Sequence, residues 1–319
     1  MNFSRKPFCI EQGVVSYLRT PSVSDGHGFF ASLSFLVAHA RGSQIEAPLR
    51  FKRKILTPMK TNLLQVLGLI ATSALYTTTA FAHDTWVETN THLARVGEAV
   101  HVSLMLGNHG NNHRDFKLAG KVNLDGSTLS YRDPNGKVHD LKPNLRDNGH
   151  EDGEGFWVTK FAPAQPGTYI VGHTSAAVMT YAPVRSIKSA KTVFQASRQL
   201  DQMPKTHVLN RVLGHPFELV AQSPVFPADV LKVQLLWKGK PLAGKIVSFI
   251  PRGGQLTEDF DPRYERVTDK EGSVSFKPDE ANYYLIVAHH NAPEEKGEGY
   301  ESTKYSATLT WYVPRIAEK

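Results

Sequence analysis

The sequence predicts an all-β fold: two antiparallel β-sandwich domains behind a secretory leader. Three observations predict it. Apolar and polar residues alternate in short runs from Trp86 onward, turn residues separate those runs, and no stretch carries a convincing helical period. About seven strands in a segment of ~100 residues is the count of an immunoglobulin-like sandwich.

The leader comes first. Met59 and Lys60 open a segment whose apolar run, Leu63 to Leu75, passes into small residues ending Ala80-Phe81-Ala82. This is the charged, apolar and A-x-A order of a cleaved signal peptide, residues 59–82. A membrane anchor would need ~20 apolar residues, and Thr77-Thr78-Thr79 interrupts this one too early. Cutting after Ala82 makes His83 the first residue of the mature protein. Residues 1–58 mix basic residues with short apolar patches and show no sustained period. They are expected to be a disordered extension or the product of a misplaced start codon.

Removing the leader changes what composition implies. The whole chain carries a formal net charge of +7 with 37 Lys/Arg and 30 Asp/Glu. Residues 1–82 hold nine Lys/Arg and three Asp/Glu, so the remainder has 37 − 9 = 28 basic and 30 − 3 = 27 acidic residues, or +1. A near-neutral mature chain has no electrostatic footprint for nucleic acid. The one cysteine, Cys9, also precedes the cleavage point, so the mature protein has neither disulfide nor thiolate ligand.

The first domain, residues 83–200, begins with the alternating run Val100, Val102, Leu104 and Leu106. Asp133-Pro134-Asn135-Gly136 joins two short strands as a hairpin, with Asn-Gly expected to supply positive φ angles. Phe156 to Phe161 and Thr168 to His173 are further strands, and a weak helical signal covers Ser186 to Gln195. Residues 197–213 lack a strand pattern and are expected to connect the domains. The second domain, 214–314, has strands at Phe217–Val220, Val230–Trp237, Lys245–Ile250, Tyr283–His289 and Ala307–Val313. Turns at Lys238-Gly239 and Asp269–Gly272 punctuate them.

No motif for nucleophilic catalysis, phosphate cradling or H-E-x-x-H zinc chemistry is present, so no catalytic residue is assigned. Histidine is the abundant reactive residue: 14 in all, of which 12 follow the leader. His83 as a mature N-terminus offers its α-amine, with a pKa of ~8 in model peptides, together with its imidazole. His109 and His113 flank a loop after a strand end, and His173 and His289 end strands of their own. His92, His101, His139, His150, His207 and His215 are taken as surface or structural. Asp147 to Glu154 misses the EF-hand spacing and is taken as a solvated acidic turn. Imidazole, amine and carboxylate without sulfur favour nickel, cobalt, copper or zinc over calcium or magnesium.

Several motifs occur in order: His83-Asp84-x-Trp86, Gly97-Glu98-x-Val100, Gly107-Asn108-His109, Pro166-Gly167-Thr168-Tyr169, Gly214-His215-Pro216-Phe217-Glu218 and Gly239-Lys240-Pro241-Leu242-Ala243-Gly244. Thr268-Asp269-x-x-Gly272 and the strand ending at His289 complete the set. Together they resemble the periplasmic family labelled as the periplasmic component of cobalt/nickel ABC transport systems. The resemblance implies a transthyretin-like or carboxypeptidase-regulatory second domain, divalent metal handling, and His83 and His109 as ligands. The expectation is a periplasmic protein that binds nickel or cobalt at His83, His109, His113, His173 and His289 and passes it to an inner-membrane transporter. It is expected to act by capture, with no enzymatic step and no membrane contact except through that partner. The alternatives are a metal-free envelope scaffold, in which the histidines are scattered, and a copper redox protein built on His83.

Overall fold

The computed structural model describes residues 83–110, 113–149, 154–201, 211–223, 230–257 and 259–314. The extension at 1–58 and the leader at 59–82 lie outside the described residues. The first half forms β1 (Asp84–Thr89), β2 (Leu93–Arg95), β3 (Val100–Gly110), β4 (His113–Gly120), β5 (Ser127–Arg132), β6 (Val138–Asp140), β7 (Arg146–Asp147), β8 (Trp157–Phe161), β9 (Gly167–Val178) and β10 (Val184–Ser197). The second half forms β11 (Phe217–Ala221), β12 (Leu231–Trp237), β13 (Lys240–Pro241), β14 (Ile246–Pro251), β15 (Glu265–Val267), β16 (Ser273–Phe276), β17 (Asn282–Ala292) and β18 (Ser302–Val313). The described chain is all-β, with one 3-10 turn at Lys142–Asn144 and no α-helix.

The expected helix at Ser186 to Gln195 is instead the middle of β10. The residues Lys-Ser-Ala-Lys imitate a helix, but β10 is buried on both faces, so the polar–apolar alternation that marks a one-sided strand is missing. Its neighbours explain the burial. A central nine-stranded sheet runs β15-β14-β17-β18-β10-β9-β5-β6, with β2 also on β10. Strands β10 and β18 pair in parallel from Val184↔Ser302 to Thr192↔Thr310, and this joins the two halves of the chain into one sheet.

Two smaller sheets cover opposite faces of the central one. Strands β1, β3, β4, β7 and β8 form one cover, and β11, β12, β13 and β16 form the other. Side chains two apart in a strand share a face. Accordingly Ala190, Phe194 and Ala196 of β10 pack with Val87, Val102 and Leu104 of the first cover. On the opposite face Ile187 joins Tyr305, Leu309 and Trp311 of β18 against Phe217, Leu219, Val233 and Phe276 of the second cover. The two cores share one sheet, and Ile187 of the first expected segment packs in the core of the second.

Turn chemistry follows the residues. Lys238 (φ 52°) and Gly239 (φ 73°) both adopt left-handed backbone in the tight β12–β13 turn. At the Asp133–Gly136 turn only Gly136 does so (φ 90°), which corrects the expectation for Asn135. Here the Asp133 carboxylate accepts from the backbone N–H groups of Asn135 and Lys137 at 2.9 and 3.0 Å, holding an ordinary Asx turn that leaves one positive φ to glycine.

One polar contact crosses from the central sheet to the second cover. Lys191 Nζ of β10 lies 2.8 Å from Glu218 Oε1 of β11, with the two side chains 4% and 1% exposed. Glu218 also accepts from the backbone N–H groups of Leu213, Gly214 and His215 at 2.6, 3.0 and 3.1 Å. Burial works against its charge, but Lys191 and these donors outweigh it and hold the carboxyl below its usual pKa. The motif Gly214-His215-Pro216-Phe217-Glu218 is therefore a lock between layers. Lys191→Met should destabilise the mature protein by about 3–5 kcal/mol, because it leaves a buried carboxylate without its counter-charge. Adding Glu218→Leu should recover only part of this, since three N–H groups lose their acceptor. Urea unfolding of the single and double variants measures both effects.

Candidate functional site

The register of the central sheet places polar side chains in two adjoining rows. Lys188 of β10 stands opposite Ser306 of β18, and Ser306 stands opposite His289 of β17. Two residues outward, Ser186 stands opposite Lys304, and Lys304 opposite Asn291. The next row inward holds Ala190, Thr308 and Val287, and there β1 lies over the sheet: Thr308 Oγ1 donates to the Thr85 carbonyl at 2.7 Å. Strand β1 begins at Asp84. Beyond it the two polar rows floor a cavity of about 200 Å³, also lined by Asp84 and Lys245.

Asp84 is buried at 2% exposure, and its two carboxylate oxygens lie 3.0 and 3.1 Å from His289 Nε2. The Lys188 ammonium donates to the carbonyl of His83, the exposed residue just before β1. Burial drives the Lys188 pKa down, and the Asp84 carboxylate opposes that shift. Asp84 and His289 are thus joined by a carboxylate–imidazole contact, and the backbone of His83, next to Asp84, is held by a lysine–carbonyl contact.

The same end receives the β3–β4 hairpin. Asp84 pairs with Gly107, His109 follows two residues later opposite Arg114, and His113 pairs with Gly110. For His109 and His113 the backbone alone is described, and their side chains lie outside the described residues. Among the described residues, no group of three or more His, Cys, Asp or Glu side chains is arranged to hold a metal.

His173 does not belong with these residues, which corrects the expected ligand set. It stands on β9 opposite Ala190, three strand spacings from β17, or about 14 Å at the usual separation of neighbouring strands. Metal ligands sit ~2 Å from their ion, so His173 and His289 cannot share one. His173 is fully buried, its Nδ1 lies 2.7 Å from the Thr128 carbonyl, and its Nε2 has no hydrogen-bond partner among the described residues. It is a core histidine.

The remaining histidines are structural or exposed. His139 contacts Asp133 at 3.1 Å and stacks on Tyr131, His92 stacks on Tyr312, and His101 is exposed. His150 and His207 lie outside the described residues. His290, absent from the expected ligand set, turns to the opposite face of the sheet against Trp237 and Tyr305. Asp84 entered the sequence reading only as part of the His83-Asp84-x-Trp86 motif, and Lys188 and Ser306 were not singled out at all. The other two become visible only through strand register.

One buried and one half-buried histidine give the fold an acid limit. Burial pushes His173 down to about 4, helped by His215, Lys188 and Lys142 and opposed by the Thr128 carbonyl. Burial likewise pushes His215 down to about 4, with Glu218 opposing and Lys191 and Arg132 assisting. Both folded values lie below the ordinary 6.5, so the unfolded chain binds more protons between the two. The stabilisation is complete above about pH 6.5 and is lost as pH falls towards 4. Each such histidine contributes up to ~1.4 kcal/mol per pH unit in that window. His173→Gln should flatten the fall in urea-unfolding free energy between pH 6.5 and 4.5 by about that amount.

The arrangement defines a class: an all-β protein of stacked, mostly antiparallel sheets with a polar cavity at one end of a sheet interface. The chain belongs to the DUF4198 family, a domain of unknown function whose model matches residues 80–292. No curated protein matches the sequence. Among solved structures, a DUF4785 family protein from Legionella pneumophila is similar at 13% identity and a TM-score of 0.26, covering 71% of this chain and 56% of that one. An alpha-2-macroglobulin from Salmonella aligns at 16% identity and a TM-score of 0.23, covering 73% of this chain and 15% of that one. Murine CEACAM1b aligns at 10% identity and a TM-score of 0.19, covering 73% of this chain and all of that one.

Proposed function

We propose that this chain is a periplasmic protein that captures a divalent transition metal, nickel or cobalt, and passes it to an inner-membrane uptake transporter. The observation that supports this reading is the Asp84–His289 pair beside His83. A carboxylate accepting from one imidazole nitrogen is the usual device that fixes a metal-ligating histidine, since it sets the tautomer and the ring orientation. With Asp84 on Nε2, the metal would take His289 through Nδ1. His83 would add its imidazole and, after cleavage, its α-amine. The β3–β4 hairpin brings the backbone of His109 and His113 to the same end of the cover sheet. These donors are nitrogen and oxygen, which suits nickel and cobalt as well as copper and zinc.

The chemistry proposed is capture and release. Ligands that must be deprotonated bind less well as pH falls, so uptake and unloading can be driven by proximity to an acceptor site without a reaction on the metal. Histidines scattered over the surface would favour a metal-free scaffold. The Asp84–His289 contact, with His83 adjacent in sequence, supports a ligand site that would need a further donor, such as the His83 α-amine freed by cleavage.

The test is calorimetric titration of nickel, cobalt, copper and zinc into the mature protein with His83 as its true first residue. A second sample carries one extra residue before His83. Tight nickel or cobalt binding that weakens in the extended sample is the expected result. Asp84→Asn should weaken binding by ~10–100-fold, the range for losing an outer carboxylate partner. Binding no tighter than millimolar for all four metals would exclude the capture reading, and a strong preference for copper would favour the redox alternative.

A further inference from the structure

The cavity carries a second chemistry that the histidines do not explain. Three lysines line it, Lys188, Lys245 and Lys304, and among the described lining residues the one carboxylate is Asp84, which is engaged with His289. Two of them, Lys188 and Lys304, stand in the adjoining floor rows with Ser186 and Ser306 between them on β10 and β18. Ser306 is 7% exposed, and its hydroxyl has no hydrogen-bond partner among the described residues. No ion pair involves Lys245 among the described residues. A buried hydroxyl without a partner is costly unless a ligand or water completes it. The surrounding ammonium groups decide which ligand chemistry fits: they attract an oxyanion.

We propose that this cavity binds a small oxyanion, a phosphate or a compact polycarboxylate, with Lys304 and Lys245 supplying charge and Ser306 donating a hydrogen bond from the floor. Its volume of about 200 Å³ far exceeds the ~15 Å³ that one water needs, so a molecule larger than water fits. Lys188 has a different part. Its hydrogen bond to the His83 carbonyl ties the start of β1 to the cavity wall, so an occupant would lie directly against the N-terminal residue. The site rests on lysine and serine side chains and does not require the metal reading.

The experiment uses metal-stripped mature protein at fixed ionic strength and pH 7.5, titrated separately with inorganic phosphate and with citrate. The expected result is one saturable site whose affinity falls roughly tenfold in Lys304→Gln and in Ser306→Ala, the order of one charge-assisted hydrogen bond. Lys270→Gln, which alters a lysine 89% exposed and far along the chain from the cavity, should leave affinity unchanged. Binding of phosphate alone would identify the occupant as a phosphate, and binding of citrate alone as a polycarboxylate. Circular dichroism checks that each variant folds; if Lys304→Gln does not, Ser306→Ala decides. Affinity weaker than ~10 mM for both anions, or an equal loss in Lys270→Gln, would overturn the proposal. Because no metal is present, its failure leaves the capture reading untouched, and failure of metal binding leaves this site untouched.

Discussion

The parallel pairing of β10 with β18 is the constraint on which the other features depend. An antiparallel sandwich can leave one face of each sheet in water, but a parallel pair is normally covered on both sides. Here the cover on one face is the sheet containing β1 and β3, and on the other the sheet containing β11 and β12. That requirement explains why β10 presents apolar or fully satisfied residues in both directions: Phe194 towards one core, Ile187 and the Lys191–Glu218 pair towards the other. The ion pair is acceptable in such a place only because Glu218 has four donors around it.

The site is a consequence of where a cover strand begins. Strand β1 protects the central sheet as far as Asp84, and the sheet continues beyond it for two more rows. Rows beneath β1 are apolar or bonded to it, whereas rows past its end are Lys, Ser, His and Asn. The same geometry brings the first residue after the expected cleavage point onto the rim. Lys188 holds its carbonyl and Asp84 holds His289, so His83 and Asp84 are placed by contacts from β10 and β17.

Much of this fold was legible in the sequence, for a physical reason. Strands with one buried face announce themselves by alternation, as Val100 to Leu106 and Val230 to Trp237 do, and Lys238-Gly239 marks its turn through backbone that glycine tolerates. Strand β10 was misread because two-sided burial removes the alternation. The site was legible only in part. His83 and His289 stood out by residue type and position, but their link through Asp84 spans 205 residues and depends on pairing that no local pattern encodes. His173 looked equivalent to His289 because both end apolar runs in the sequence, although β9 and β17 continue past them. Register puts one in the core and the other at the rim. The Ser306 and Lys304 floor carried no signal at all, since a serine and a lysine alternating in a strand describe an ordinary solvated face.

The proposal to be tested is that His83, freed as an N-terminus by cleavage, and His289 join the β3–β4 hairpin in one metal site. Anomalous diffraction from crystals of the mature protein soaked with nickel, recorded at the nickel edge, tests it most directly. The account expects a single strong peak against His83 and His289 Nδ1, with Asp84 retained on Nε2 and none near His173. A peak elsewhere on the surface with the Asp84–His289 pair unchanged, or no ordered peak at saturating nickel, would contradict it.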